Sequence, residues 1–208
     1  MKNLIFLILT FISFQVIAQD DRKLVEEGVT LFGEEKYMEA IVKFNSAIEL
    51  NGENHQAFYM RGAIKKKFED NHGAMKDLNT ALEIKPTLHE AYFVRGEIKF
   101  KLQDYYGAIA DFSKVIELNK NHVEAYFKRG QAKQQIEAYQ DAINDCSKII
   151  EINAKNVDAY FLRGILRIEH GQLEAGCLDL SKAGELGDIK AYEVIKEKCN
   201  NKCLMQEL

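Results

Sequence analysis

The sequence lacks the features that would indicate catalysis or nucleic-acid binding. It has no glycine-rich phosphate loop, no His-Glu-x-x-His motif and no nucleophile elbow, so no enzyme class is indicated. The charge is mildly acidic, with 28 Lys and Arg against 32 Asp and Glu. The one basic run, Lys65-Lys66-Lys67, is too short to follow a phosphate backbone. We therefore predict a non-catalytic protein with no cofactor and no nucleic-acid partner.

The first 18 residues differ from the rest of the chain. Lys2 precedes an apolar run over 4–14, and the small or modest residues Val16 and Ala18 stand three and one residues before the expected cleavage site, which polar Gln19 follows. This pattern is typical of a cleaved secretory signal. The apolar stretch is shorter than the roughly 20 residues of a membrane-spanning helix, which favours cleavage over an uncleaved anchor. We predict a signal peptide over 1–18, no membrane insertion after its removal, and export to the periplasm or to the cell surface and medium.

Glycine recurs at a fixed spacing of 34 residues along the whole chain, at Gly28, Gly62, Gly96, Gly130 and Gly164. An internal period of this length indicates a stack of small supersecondary units, because each unit can bury its apolar face only against its neighbours. We number each unit from seven residues before its glycine. The units then cover 21–54, 55–88, 89–122, 123–156 and 157–190.

Each unit contains two amphipathic segments. In the second segment a small residue at position 20 is followed by apolar residues at positions 24, 27 and 30. These spacings of three and four place the residues on one face of a helix. A first helix carries Leu, Phe or Tyr four residues before the glycine, and polar residues near position 15 separate the two. Each unit is therefore predicted to be a helical hairpin, in which small residues at positions 8 and 20 allow a close crossing.

This pattern resembles the tetratricopeptide repeat family, with glycine at position 8, Tyr at 17, Ala at 20, a large apolar residue at 24 and a small one at 27. The resemblance implies an all-α, right-handed superhelical solenoid of five helix-turn-helix repeats over 19–190, closed by a C-terminal cap helix and tail over 191–208. Two departures are visible. The usual proline at position 32 occurs only as Pro86, and Gly176 and Gly184 lie inside the last second helix, which is expected to be looser.

Charges at positions 7 and 23 predict a contact inside each hairpin. The two positions are equally distant from the turn, so they should face each other. Repeats two to five carry Arg and Asp there, and repeat one carries the reverse charges, which favours direct contact. We interpret these as partly buried ion pairs that fix the register, rather than as a ligand site. The predicted pairs are Glu27–Lys43, Arg61–Asp77, Arg95–Asp111, Arg129–Asp145 and Arg163–Asp179.

The four cysteines fall into two groups. Cys146 stands at a core position and is predicted to be buried and inert. Cys177 and Cys199 are each eleven residues from Asp188, so a turn there would bring them together as a disulfide in an oxidising compartment. The alternative pairs Cys177 with Cys203. No metal site is predicted, because the Cys199–Cys203 spacing lacks a second ligand pair and the histidines are scattered along the repeats.

The family resemblance also implies where a partner binds, since the first helices line the concave surface. Its positions 2, 5 and 9 give an aromatic row with an acidic rim, suited to a peptide that carries apolar and basic residues. The alternative is that the aromatics only pack between repeats and that the acids only favour their helix starts. The predicted partner-binding residues are Tyr59, Phe93, Phe127, Phe161, Glu90, Glu124, Asp158, Glu97 and Gln131.

These observations predict a protein-protein interaction module of the cell envelope that binds a peptide or a partner protein. Two other classes remain open. One is a structural component that associates with itself. The other is a glycan-binding accessory protein, which the stacked aromatic rings would suit but the absence of tryptophan disfavours.

Overall fold

In the computed structural model, residues 20–199 are described, and every regular element among them is a helix. The predicted signal peptide, the tail beyond residue 199 and Cys203 lie outside these residues. The helices are α1 (20–33), α2 (Tyr37–Leu50), α3 (His55–Lys67), α4 (Asn71–Ile84), α5 (His89–Lys101), α6 (Tyr105–Leu118), α7 (Val123–Gln135), α8 (Tyr139–Ile152), α9 (Val157–Glu169), α10 (Leu173–Glu185) and α11 (Ile189–Val194), followed by a π-helix (Ile195–Cys199).

The chain forms two compact units, which divide between Ile98 and Lys99 inside α5. In the first unit α3 packs against both α2 and α4. In the second unit each helix from α6 to α10 packs against the next, and α11 packs against α10. The prediction of an all-α chain built from packed helix-turn-helix repeats is confirmed. No helix within residues 20–199 has the length and apolar character needed to cross a membrane.

The hairpin turns share one backbone conformation at position 15. Four non-glycine residues there have a left-handed backbone, which usually destabilises an L-residue by roughly 1–2 kcal/mol, and in repeat five the position is Gly171, with φ of 81°. In repeats two and three an aspartate then caps the second helix; Asp70, for example, accepts a hydrogen bond from the Gly73 amide at 2.8 Å. The break between helices is therefore encoded locally. The four left-handed residues are Glu35, Glu69, Gln103 and Glu137.

The crossing between first and second helices is tightest where position 24 is large. A Cβ atom added at Gly164 would lie 2.8 Å from Leu180 Cγ and 3.0 Å from the carbonyl oxygen of Gly176. At Gly130 the nearest atoms would be 3.7–3.8 Å away, because the facing residue is the smaller Cys146. The glycine at position 8 is thus sterically required in repeat five but not in repeat four.

Cys146 is fully buried and is a free thiol. Burial, assisted by the neighbouring Asp145 carboxylate, raises the pKa of this thiol to about 12. Because the thiolate is the reactive form, Cys146 is inert at neutral pH. Its role is to fill the core position that Phe or Leu fills in the other repeats.

Arg61 binds side chains of two other helices. Its Nε and Nη2 donate to the two carboxylate oxygens of Asp77 at 2.8 and 2.7 Å, and its Nη1 donates to Asn45 Oδ1 at 2.6 Å. Lys65, one turn later, adds a second cation 2.7 Å from Asp77. Asp77 is only 2% exposed, so its charge is balanced by a bidentate guanidinium and an ammonium. Since Asn45 lies on α2, Arg61 also joins its hairpin to the preceding one.

The same arrangement recurs in the second unit. Arg129 donates to Asp145 at 3.0 and 2.6 Å and to Ser113 Oγ at 3.0 Å, and Lys133 lies 2.8 Å from the same carboxylate. The sequence predicts the contact between positions 7 and 23, whereas the contacts with Ser113 and Lys133 were not predicted. The corresponding residues of repeat five are Arg163, Asp179, Ser147 and Arg167.

The remaining charges at positions 7 and 23 also have partners within their own units. Lys43 and Glu27 approach to 2.6 Å, and their side chains are 37% and 40% exposed, far more than the 3% of Asp77. Within the first unit Arg95 donates to Asn79 Oδ1 at 2.7 Å. Within the second unit Asp111 accepts from Lys99, which lies 2.8 Å away.

The C-terminal cap begins at Ile189 and is linked to the last repeat. Cys177 on α10 and Cys199 at the end of the π-helix form a disulfide, with their Cα atoms 6.1 Å apart. Ala191 is fully buried. The ring of Tyr192 lies so close to Gly184 that a Cβ there would be 2.6 Å from Cζ. The glycine that was expected to loosen α10 is thus a contact point for the cap.

Candidate functional site

Position 5 of each repeat lies on the first helix of its hairpin. Tyr59, Phe127 and Phe161 each pack against an apolar core cluster of their own unit. These three rings, and that of Phe93, are only half-buried, whereas Val25 at the same position is buried. The rings therefore take part in packing and also leave part of their surface accessible.

A groove in the second unit lies between the starts of α7 and α9 and has a volume of about 380 Å³. Phe127 forms part of its wall, and the exposed carboxylates of Glu124 and Asp158 flank it. Both acids occupy the second residue of their helices, where the helix dipole favours a negative charge. The structure thus brings together three residues of the predicted partner-binding set. The remaining lining residues, which the predicted set did not include, are Val123, Lys128 and Asn156.

A second groove, of about 500 Å³, lies in the first unit between the starts of α1 and α3. It uses the same repeat positions but carries different chemistry. Arg22 stands where the other groove has Glu124, and Glu26 stands where it has Lys128. Its remaining lining residues are Val25, Val29, Thr30, Asn54 and Gln56.

The predicted acids of the first unit lie near the Tyr59 hydroxyl. Burial raises the pKa of Tyr59, and the carboxylates of Glu90 and Glu97 raise it further. Glu97 forms an ion pair with Lys66, and Glu90 lies 3.7 Å from His89 Nδ1. These acids therefore already have neighbours of their own within the unit.

Gln131, a predicted partner-binding residue, and His55, a histidine at a repeat junction, both lie on first helices. Gln131 is half-buried on α7, on the first helix of repeat four. Burial lowers the pKa of His55 at the repeat junction, with Lys85 contributing, so this imidazole is neutral at pH 7. Across residues 20–199, no three His, Cys, Asp or Glu side chains are grouped so that they could hold a metal ion.

Family models match a large part of the repeat region. One described as "TPR repeat" matches residues 96–137, and one described as "Tetratricopeptide repeat" matches 55–88 and 123–156. The chain contains tetratricopeptide repeats (TPR). The last two matches have the bounds that the 34-residue period gives to repeats two and four of this TPR protein.

Solved structures share the fold of this TPR protein. The crystal structure of YrrB, described as a TPR protein with an unusual peptide-binding site, superposes with a TM-score of 0.78 at 19% identity, covering 89% of this chain and 96% of YrrB. A crystal structure of MamA gives 0.75 at 20% identity, covering 84% and 96%. MamA from Desulfovibrio magneticus RS-1 gives 0.74 at 15% identity, covering 80% and 94%. No curated protein sequence matches the chain.

Proposed function

We propose that this TPR protein binds a partner protein or peptide, without catalysis, on the inner faces of its first helices. The observation that carries the proposal is the recurrence of a groove at the same repeat positions in each unit, between consecutive first helices. Open clefts with an apolar wall and a few polar groups suit the docking of peptide side chains. The fold shared with YrrB, described as having a peptide-binding site, supports this choice.

We propose further that the protein works outside the cytoplasm, in the cell envelope. Two features support this location: the apolar leader over 1–18 and the Cys177–Cys199 disulfide, a bond that persists in oxidising compartments. Intact mass of the protein recovered from fractionated cells tests it. A chain that starts at Gln19 and is found outside the cytoplasm is expected, whereas a cytoplasmic protein that retains residues 1–18 would contradict it.

Site-specific photocrosslinking tests the binding surface. A benzophenone amino acid is placed at Gln131, on the first-helix face, or at Tyr106, which is 74% exposed on the second helix α6. We expect a crosslinked partner from the Gln131 probe and none from the Tyr106 probe. The same partner captured only through Tyr106 would move the binding surface to the second helices and would refute the proposal.

The variant Phe127→Ala complements this experiment, with Tyr106→Ala as its matched control. Loss of the partner in Phe127→Ala but not in Tyr106→Ala is expected. A circular dichroism melt of each variant verifies that it is folded. A band at twice the chain mass from the Gln131 probe would identify the partner as a second copy.

A further inference from the structure

The groove of the second unit has the chemistry of a receptor for one long basic side chain. We propose that it binds a Lys or Arg side chain of the partner, which deepens, and depends on, the proposed partner binding. Phe127 and Val123 provide apolar wall, and Glu124 and Asp158 contribute two carboxylates from neighbouring first helices. Among the described residues, neither carboxylate has an ion-pair or hydrogen-bond partner.

A basic side chain matches this combination better than an apolar or an acidic one. The methylene stem of Lys or Arg packs on apolar surface while its charged end stays near polar groups. The half-exposed ring of Phe127 can also attract the cation through its face. Carboxylates from two different helices then hold the cation by charge-assisted hydrogen bonds. Residues of α7 and α9 therefore cooperate in one site.

Lys128 lies in the same groove and reduces its negative charge without cancelling it. Two carboxylates against one ammonium leave an excess of one negative charge. In the first unit the equivalent groove holds Arg22 and Glu26, with neutral Gln56 in the place of Asp158, so its charges balance. Only the second unit's groove therefore carries the excess that selects a cation.

Helix stability does not by itself account for these acids. A carboxylate at the second helical residue favours the dipole wherever it stands. The same repeat position is Glu90 in α5 but Gln56 in α3 and Arg22 in the first repeat, so a first helix forms without an acid there. The combination of Glu124, Asp158 and an accessible aromatic wall is a property of the groove.

Peptide selection by the full mature protein tests the proposal. The probes are pools of about nine-residue peptides that are random except for a central Lys, Arg, citrulline, norleucine or Glu. We expect the Lys and Arg pools to bind about tenfold more tightly than the norleucine, citrulline and Glu pools. The preference should weaken as salt is raised, since exposed charges are screened.

The variants assign the selectivity to this groove. Glu124→Gln with Asp158→Asn keeps the shape of both side chains and should abolish the preference. The matched control Arg22→Gln with Glu26→Gln also removes two charges but keeps the other groove neutral, and it should leave the preference unchanged. A preference that persists in Glu124→Gln with Asp158→Asn, equal binding of the Lys and norleucine pools, or the absence of binding by any pool would overturn the proposal.

A charge-independent result still separates this proposal from the broader one. If peptides bind the wild-type protein without charge preference and Phe127→Ala no longer binds them, the basic-side-chain site is refuted. That result still supports the groove as a binding surface. Peptides that bind wild type and Phe127→Ala equally would count against both. Unfolding of each variant, followed by circular dichroism, verifies that Glu124→Gln with Asp158→Asn is folded under the conditions of the binding assay.

Discussion

Arg129 donates to Ser113 Oγ at 3.0 Å, a contact that spans two consecutive hairpins. The other nitrogens of the same guanidinium hold Asp145 inside its own hairpin. The planar fork of arginine makes this possible, because its donors diverge in fixed directions that lysine cannot reproduce. One side chain thus sets both the register of a hairpin and its attachment to the preceding hairpin.

Removal of the buried carboxylate should destabilise the repeat strongly. In Asp145→Ala, Arg129 and Lys133 lose their shared partner and remain partly buried charges, so the free energy of unfolding should fall by about 3–5 kcal/mol. The matched control is Glu27→Ala, which removes the exposed partner of Lys43 and should have a much smaller effect. Urea unfolding followed by circular dichroism measures both. Equal effects would contradict the burial argument.

The two glycine-to-alanine changes at position 8 should have opposite signs. Gly164→Ala pushes a methyl group against Leu180 and the Gly176 backbone and should destabilise by about 1–3 kcal/mol. Gly130→Ala meets only ordinary van der Waals contacts and gains helix propensity, which should stabilise by about 0.5–1 kcal/mol. Thermal melts of the two variants decide the point. A loss of stability in Gly130→Ala would show that the helices cross more closely than the 3.7–3.8 Å distances at Gly130 indicate.

Alkaline pH should weaken the fold through Cys146. Its pKa is raised from 9.0 to about 12 by burial, so the unfolded chain loses this proton first as the pH rises. The stability contributed by the protonated thiol is therefore complete below about pH 9 and is lost progressively up to about pH 12, by at most about 1.4 kcal/mol per pH unit. Unfolding of wild type and Cys146→Val between these limits isolates the effect, since other groups titrate in both. Parallel curves would contradict it.

The disulfide should stabilise mainly the C-terminal end. Cys177→Ser with Cys199→Ser opens a loop closed over 22 residues and should lower the free energy of unfolding by about 2–4 kcal/mol. Hydrogen exchange should show the loss concentrated in α10 and α11. Non-reducing peptide mapping of wild type checks the pairing, and Cys203→Ser serves as the control that leaves it intact. A mapped Cys177–Cys203 link would establish the other pairing.

The hairpins could be predicted from the sequence because their signals are local and repeated. The 34-residue period sets the helices, and the reversed charges at Glu27 and Lys43 indicate which positions face each other. The second cation was also readable, since Lys65 follows Arg61 by one helical turn, yet only one partner was assigned. Inter-hairpin contacts such as Arg61 with Asn45 require knowledge of how repeats stack, which the period alone does not supply.

The grooves were the least predictable part. The family resemblance indicates that the first helices carry the binding surface. The shape of each groove also depends on how deeply the side chain at position 5 is buried. Val25 is buried and Phe127 is not, although they share a repeat position. Lys128 and Asn156 complete the second groove through side chains at its edge, and no short motif marks them in the sequence.

The arginine contacts make the order of the hairpins directional. Each arginine at position 7 reaches back to an Asn or Ser at position 25 of the hairpin before it, as Arg95 does to Asn79. Hairpins that carry both residues are equivalent in this contact, and a tandem copy of repeat four would keep it at the new junction. Repeat one has Glu27 in place of the arginine. If repeat one were placed after another hairpin, the Asn or Ser at position 25 of that hairpin would have no arginine to donate to it.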